Sequence, residues 1–373
     1  MFFRDVIGQD EVKRQLIQSV KSGRIAHAQL FTGGEGVGKF PLALAYARYI
    51  QCTNRQENDA CGECLSCKKY NTLLHPDLHF VYPIVKKGSK ETVCDDYIAQ
   101  WREFVNENSY FNLDQWLAYI GAGNAQATIY AKESDEIIRK LNLKTYESDY
   151  KVMIIWLPER MNETCANKLL KVIEEPYENT VLLLVSDEPD KILNTILSRS
   201  QQIQVRSIPH EIIARELVRQ YGIDEQDAVA VAHTSGGSFV KAVEAIRLSE
   251  ENSLFFDLFV RLMRLAYSRK IKALKEWTEE VAELGRERQK KLLAYSQRML
   301  RENFIYNLAI PQINYLNRQE AAFSSRFAPF ITERNIYPLM EEFGRAEADI
   351  AQNANSKIVF FDLCIKVIML LKK

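Results

Sequence analysis

An apolar run, Ala28-Gln29-Leu30-Phe31-Thr32, feeds directly into Gly33-Gly34-Glu35-Gly36-Val37-Gly38-Lys39-Phe40, and a helix-forming stretch opens at Phe40-Pro41. Strand, glycine-rich turn and helix form the context in which G-x-x-x-x-G-K-[ST] cradles phosphate. Proline suits the first turn of the helix that follows. Glycines let backbone N–H groups turn toward phosphate oxygens. Gly33, Gly36 and Gly38 are therefore the candidate phosphate-binding positions, and Lys39 is the side chain expected to reach the outer phosphates. The last position calls for a hydroxyl to hold magnesium, and here it is Phe40. A phenyl ring cannot ligate a hard cation. The loop can still bind phosphate, but metal-assisted hydrolysis has lost one ligand, which leaves ATP binding doubtful.

The rest of the first half repeats the strand-then-helix rhythm. Residues 152–157 and 181–186 are further apolar strands, and 201–205 is a final short strand. Between the first two, residues 164–174 place Ala166, Leu169, Leu170 and Ile173 on one helical face, and Pro176 stops that helix. Alternation of this kind argues for an α/β domain with a parallel sheet and helices on both faces, spanning residues 1–206. A hydrolysing site of this type needs acidic residues at the end of an apolar strand. Residues 152–155 make a good strand, but it runs on into Trp156-Leu157. Losing the hydroxyl and the acids together argues against hydrolysis. The rival reading, an active P-loop ATPase, would need displaced acids such as Asp187, Glu188 or Glu159.

Residues 207–250 read as a small helical lid. Residues 251–373 read as a helical bundle of four or five helices, with Leu258, Leu262 and Leu265 at helical spacing. Residues 84–130 are an extra segment dense in aromatics: Trp101, Phe104, Tyr110, Phe111, Trp116 and Tyr119. Base stacking needs exposed rings beside basic residues. Basic residues are scarce between Arg102 and Lys132, so a packed module is expected instead.

Seven cysteines are present, and Cys52, Cys61, Cys64 and Cys67 fall within sixteen residues. Four thiols at that spacing suit a closed tetrahedral zinc site, structural because no position stays open for water. The zinc module occupies about 50–70. The 49 basic and 49 acidic residues cancel, so overall charge gives no drive toward nucleic acid. A zinc-containing nucleic-acid-binding module is nevertheless a third reading. No signal-peptide layout opens the chain, and no run of about 18 apolar residues occurs, so a cytoplasmic protein with no membrane partner is expected.

Taken together, these pieces resemble the clamp-loader branch of the AAA+ family, which serves the bacterial DNA polymerase III. Phe3-Arg4-Asp5-Val6-Ile7-Gly8-Gln9 is similar to its N-terminal box, and the four-cysteine spacing followed by His75-Pro76-Asp77 is similar to its zinc module. Ala166-Asn167-Lys168-Leu169-Leu170-Lys171-Val172-Ile173-Glu174-Glu175-Pro176 resembles a signature helix of the family, and Leu197-Ser198-Arg199-Ser200 resembles its Ser-Arg-Cys motif. Gly237-Ser238-Phe239-Val240 resembles the sensor 2 segment, with Val240 where hydrolysing relatives carry arginine. The resemblance covers about residues 1–245. It implies a non-hydrolysing, stator-like subunit of a hetero-oligomeric ring in DNA replication, with residues 251–373 as the collar. Arg199, with Ser198 in the same motif, would be an arginine finger toward a neighbour's ATP. Implied partners are ATPase subunits of gamma/tau type, a delta-type subunit and, through the complex, the sliding clamp and primer-template DNA.

Overall fold

Five short strands organise the first half of the chain: β1 (Ala28–Thr32), β2 (Leu78–Val81), β3 (Lys151–Trp156), β4 (Thr180–Ser186) and β5 (Gln201–Gln204). They hydrogen-bond in the order β2-β3-β4-β1-β5, and every pairing is parallel. Every residue of β3 and β4 is buried. That is why these strands read as continuous apolar runs: a parallel sheet is covered on both faces. β3 starts one residue earlier than expected and ends at Trp156, where Leu157 turns to a left-handed φ of 55°. β2 is a strand the sequence did not reveal; four residues containing His79 are too few for a periodic signal.

The helices are, in order, α1 (Asp10–Lys21), α2 (Lys39–Gln51), α3 (Leu65–Asn71), α4 (Ile98–Glu107), α5 (Leu113–Tyr119), α6 (Ala131–Asn142), α7 (Glu163–Glu174) and α8 (Asn194–Leu197). Then follow α9 (His210–Tyr221), α10 (Glu225–Thr234), α11 (Phe239–Tyr267), α12 (Ile271–Ala282), α13 (Arg286–Asn307), α14 (Arg318–Phe327), α15 (Ile336–Ala351) and α16 (Ser356–Leu370). The computed structural model describes residues 1–86, 91–123, 125–307, 316 and 318–371. Residues 87–90 and 124 of the extra segment, and 308–315, 317 and 372–373 of the C-terminal region, lie outside the described residues.

Two compact units result, Met1–Ala245 and Ile246–Lys373, with the boundary inside α11. The first is built on the sheet. All thirteen residues of α2 are buried, and Ala43, Ala45 and Ala47 let it pack closely. The extra segment leaves the sheet after β2 and returns before α6. Its two ends exchange backbone hydrogen bonds, Ile84 N to Thr128 O at 3.2 Å and Thr128 N to Ile84 O at 3.0 Å. Between them α4, α5 and the turn that joins them bury Trp101, Phe104, Phe111 and Trp116 in the same core as the sheet. Among the described residues the second unit contains helices and no strand, with a separate core that includes Phe259, Trp277, Leu339 and Phe360. The architecture is the one the sequence implies: an α/β P-loop sheet domain followed by an all-α C-terminal unit.

Candidate functional site

The parallel register decides what surrounds the glycine-rich loop. β1 lies between β4 and β5, and Thr32 is level with Ser186. Asp187 therefore stands beside the loop. Lys39 Nζ pairs with Asp187 Oδ1 at 2.7 Å, donates to the carbonyl of Gly33 at 2.7 Å and also donates to that of Gly34. An ammonium has three protons to give, and all three have acceptors inside the chain. Gly38 caps α2 with φ 96°, a left-handed value that glycine adopts without strain.

Phe40 is buried at the start of α2, and its ring packs edge-on against Phe111 (5.0 Å), Trp101 (5.7 Å) and Trp156 (6.4 Å). Trp156 is the residue that closes β3, and it also meets Phe111 at 5.0 Å and Trp101 at 5.4 Å. Phe40 and Trp156 stand where the motifs of a hydrolysing site call for magnesium-binding groups, and they form one aromatic cluster with the extra segment. Val240 is buried against the loop; a Cβ on Gly36 would come within 3.0 Å of it.

The three displaced acids have other occupations. Asp187 neutralises Lys39. Glu159 Oε1 accepts the N–H groups of Asp187 (2.8 Å) and Glu188 (3.1 Å), holding the turn after β4. Burial pushes the Glu159 carboxyl up in spite of those donors. Glu188 is half-buried and pairs with Lys191 at 2.6 Å. The Asp187–Lys39 pair left no signal in the sequence because it depends on strand register.

Arg199 lies just past the short helix α8, on the surface. Its Nε meets Glu174 Oε1 at 2.8 Å, and Nη1 donates to the carbonyl of Thr195 at 3.1 Å and to Ser198 Oγ at 3.4 Å. Ser198 Oγ donates to the same Thr195 carbonyl at 3.2 Å, and Ser200 Oγ to that of Ile196 at 2.9 Å. Glu174 is the C-terminal residue of α7, whose start is capped by Asn162. The pair joins two stretches that are separate motifs in the sequence.

The four clustered cysteines converge, with their sulfur atoms all within 4.8 Å of one another. Cys52 to Cys61 is 3.6 Å, and Cys52 to Cys64 and Cys61 to Cys67 are each 3.9 Å. Tetrahedral zinc with bonds of about 2.3 Å separates its sulfurs by about 3.8 Å, so the set fits such an ion and could hold one. Backbone N–H groups of Cys61, Cys64 and Cys67 approach the sulfurs of Cys52, Cys61 and Cys64 at 3.3–3.4 Å. The buried Arg48, which belongs to no motif in the sequence, donates to the Cys67 carbonyl and to Asn71 Oδ1, each at 2.8 Å, and lies over the ring of Phe2. Asp59 accepts the N–H groups of Phe3 and Arg4, both at 3.1 Å, so the cysteine module also anchors the N-terminus. Cys94, Cys165 and Cys364 are buried and separate.

Among the described residues, no helix is long and apolar enough to cross a membrane. A family model described as DNA polymerase III, delta subunit, matches residues 8–209. DNA polymerase III subunit delta' of Bacillus subtilis (strain 168) is 28% identical over 215 residues, covering 57% of this chain and 52% of that protein. The Escherichia coli (strain K12) subunit delta' is 25% identical over 226 residues, covering 60% and 55%. Subunit gamma of Buchnera aphidicola is 26% identical over 250 residues, covering 66% and 58%. The matched region thus spans about half the length of these curated relatives. A solved gamma-subunit-related protein of Thermotoga maritima covers 96% of this chain and 99% of its own at 15% identity, with a TM-score of 0.35, too low to support a structural argument. Because the family match takes in more than half of the sequence, the chain belongs to the DNA polymerase III delta-subunit family of clamp-loader proteins, and it is delta'-like.

Proposed function

We propose that this chain is a non-hydrolysing subunit of a replicative clamp loader and that it lends Arg199 to the ATP site of a neighbouring ATPase subunit. The observation that carries the reading is the contrast between its two phosphate-related features. The glycine loop is closed: Lys39 is neutralised by Asp187, and Phe40 and Trp156 are packed where a metal ion and acids would work. Arg199 by contrast is exposed; among the described residues its one ion pair is with Glu174, itself about half exposed, and its remaining intrachain partners are the Thr195 carbonyl and the Ser198 hydroxyl on the same surface turn. Exposed ion pairs contribute about 0–1 kcal/mol, so a neighbour's γ-phosphate can draw Arg199 away at small cost. A guanidinium can donate two parallel hydrogen bonds to phosphate oxygens. The partners are the gamma/tau-type and delta-type subunits, and the sliding clamp and primed DNA are reached through the complex. The setting is cytoplasmic. The four-cysteine cluster holds one structural zinc, with Cys52, Cys61, Cys64 and Cys67 as its thiolate ligands.

The test is reconstitution with ATPase subunits and measurement of ATP hydrolysis stimulated by clamp and DNA. Trans-acting arginines are worth about 10³–10⁵ in rate in well-studied cases. Arg199→Ala is expected to remove most of the hydrolysis at the adjoining site while assembly is preserved. An unchanged stimulated rate in the assembled complex rules out the arginine role.

A further inference from the structure

We propose that residues 109–115 are an internal plug: they occupy the cleft where a nucleotide's phosphates would bind and tie the glycine loop to the first turns of α11, so that the chain takes up no nucleotide and this geometry does not depend on one. The proposal concerns the chain alone and does not rest on the role given to Arg199.

The cleft is already filled. Ser109, Tyr110 and Phe111 join Gly38, Lys39 and Asp187 around a void of only about 20 Å³. That is room for about one water, against roughly 300–1,000 Å³ for ligand pockets. A Cβ placed on Gly38 would stand 3.1 Å from the Tyr110 hydroxyl, so the space directly over the loop belongs to that side chain. The hydroxyl in turn accepts the N–H of Ile7 at 2.7 Å, which fixes the ring from the opposite side. Phe111 is buried in the aromatic cluster of Phe40 and Trp156. Withdrawal of the plug would therefore expose apolar rings to water, which is unfavourable. The cation that should greet phosphate is also engaged, since every proton of Lys39 has an acceptor within the chain.

The same seven residues bridge two elements. Asn112 is buried and donates to Glu35 of the glycine loop at 3.3 Å and to Glu244 of α11 at 3.1 Å. Its own Oδ1 accepts the N–H of Gln115, and Gln115 Nε2 donates to the same Glu244 oxygen at 3.1 Å. Tyr110 packs edge-on against Phe239, the first residue of α11, at 5.1 Å. Phe239 N donates to the carbonyl of Gly36 at 3.0 Å. Loop, plug and α11 thus share side-chain contacts that in a nucleotide-dependent protein a bound phosphate would have to supply. Glu35 adds a carboxyl where an anion would sit, and burial, with Asp187 and Glu244 nearby, raises its pKa.

The experiment uses the full chain. A fluorescent ATP analogue with magnesium is titrated into the wild type, and hydrogen–deuterium exchange is followed at residues 33–40 and 239–244 with and without millimolar Mg-ATP. No saturable binding and no nucleotide-dependent change in exchange are expected. In Tyr110→Ala/Asn112→Ala, exchange in both segments is expected to rise about tenfold or more, because their shared contacts are gone. If that variant does not fold, Asn112→Ala/Gln115→Ala removes only the polar ties to Glu35 and Glu244 and serves the same reading. Saturable nucleotide binding by the wild type overturns the plug, as does unchanged exchange at both segments in a folded variant. Neither result touches the test of Arg199.

Discussion

Phe40 differs from the side chain its motif calls for, and the structure gives it a positive role. A hydroxyl there would face three aromatic rings; a phenyl ring instead completes their packing. Truncating a buried phenylalanine typically costs about 3–5 kcal/mol. Phe40→Ala is therefore expected to lower stability by about that amount, read from the urea midpoint at constant m-value. A loss below about 1 kcal/mol would mean that the cluster does not hold the start of α2. The departure from the motif was legible in the sequence. Its packing partners were not, because Trp101 and Phe111 come from a segment more than sixty residues away, and no short-range pattern links them to the loop.

At the scale of elements, most of the sheet could be read from apolar runs, whereas the connections that orient it could not. Asp77 is an example. The physical work of the His75-Pro76-Asp77 triplet is to hold the loop that leads into β3. The buried Asp77 carboxylate accepts the N–H groups of Tyr146 (2.7 Å), Glu147 (2.8 Å) and Ser148 (3.1 Å). Unpaired buried donors are costly, and bonds to a charged acceptor are the stronger kind. Asp77→Ala should cost about 2–4 kcal/mol in thermal or urea unfolding, and Asp77→Asn, which keeps one acceptor oxygen, should cost less. Equal stability of all three proteins would show that the loop holds itself. The lone strand missed in the sequence, β2, follows Asp77 directly and pairs with β3, so motif and strand form one structural unit.

For the molecule as a whole, two separate cores have a thermodynamic consequence. Each unit has its own apolar cluster, and the cysteine module belongs to the first. Structural zinc contributes directly to folding, and its ligands are of little use without it. Metal analysis is expected to give one zinc per chain. Removing it with a chelator should lower the melting temperature of one calorimetric transition and leave a second transition in place. A zinc-free protein with four reactive thiols and an unchanged melting profile would refute the metal assignment.

The kinds of structure came from local pattern. Glycines before a lysine specify a turn between strand and helix, four cysteines at close spacing can converge only locally, and apolar runs without alternation announce a covered sheet. The identities at Phe40 and Trp156 likewise need no coordinates to tell against hydrolysis. Tertiary structure alone decided what fills the space those residues leave. Asp187 reaches Lys39 because β1 and β4 are in parallel register, Glu174 reaches Arg199 because α7 ends beside α8, and Tyr110 covers Gly38 because the ends of an excursion from the sheet are clamped together. Each of these contacts joins residues far apart in the chain, and its energy depends on distance in space, which local sequence patterns do not encode.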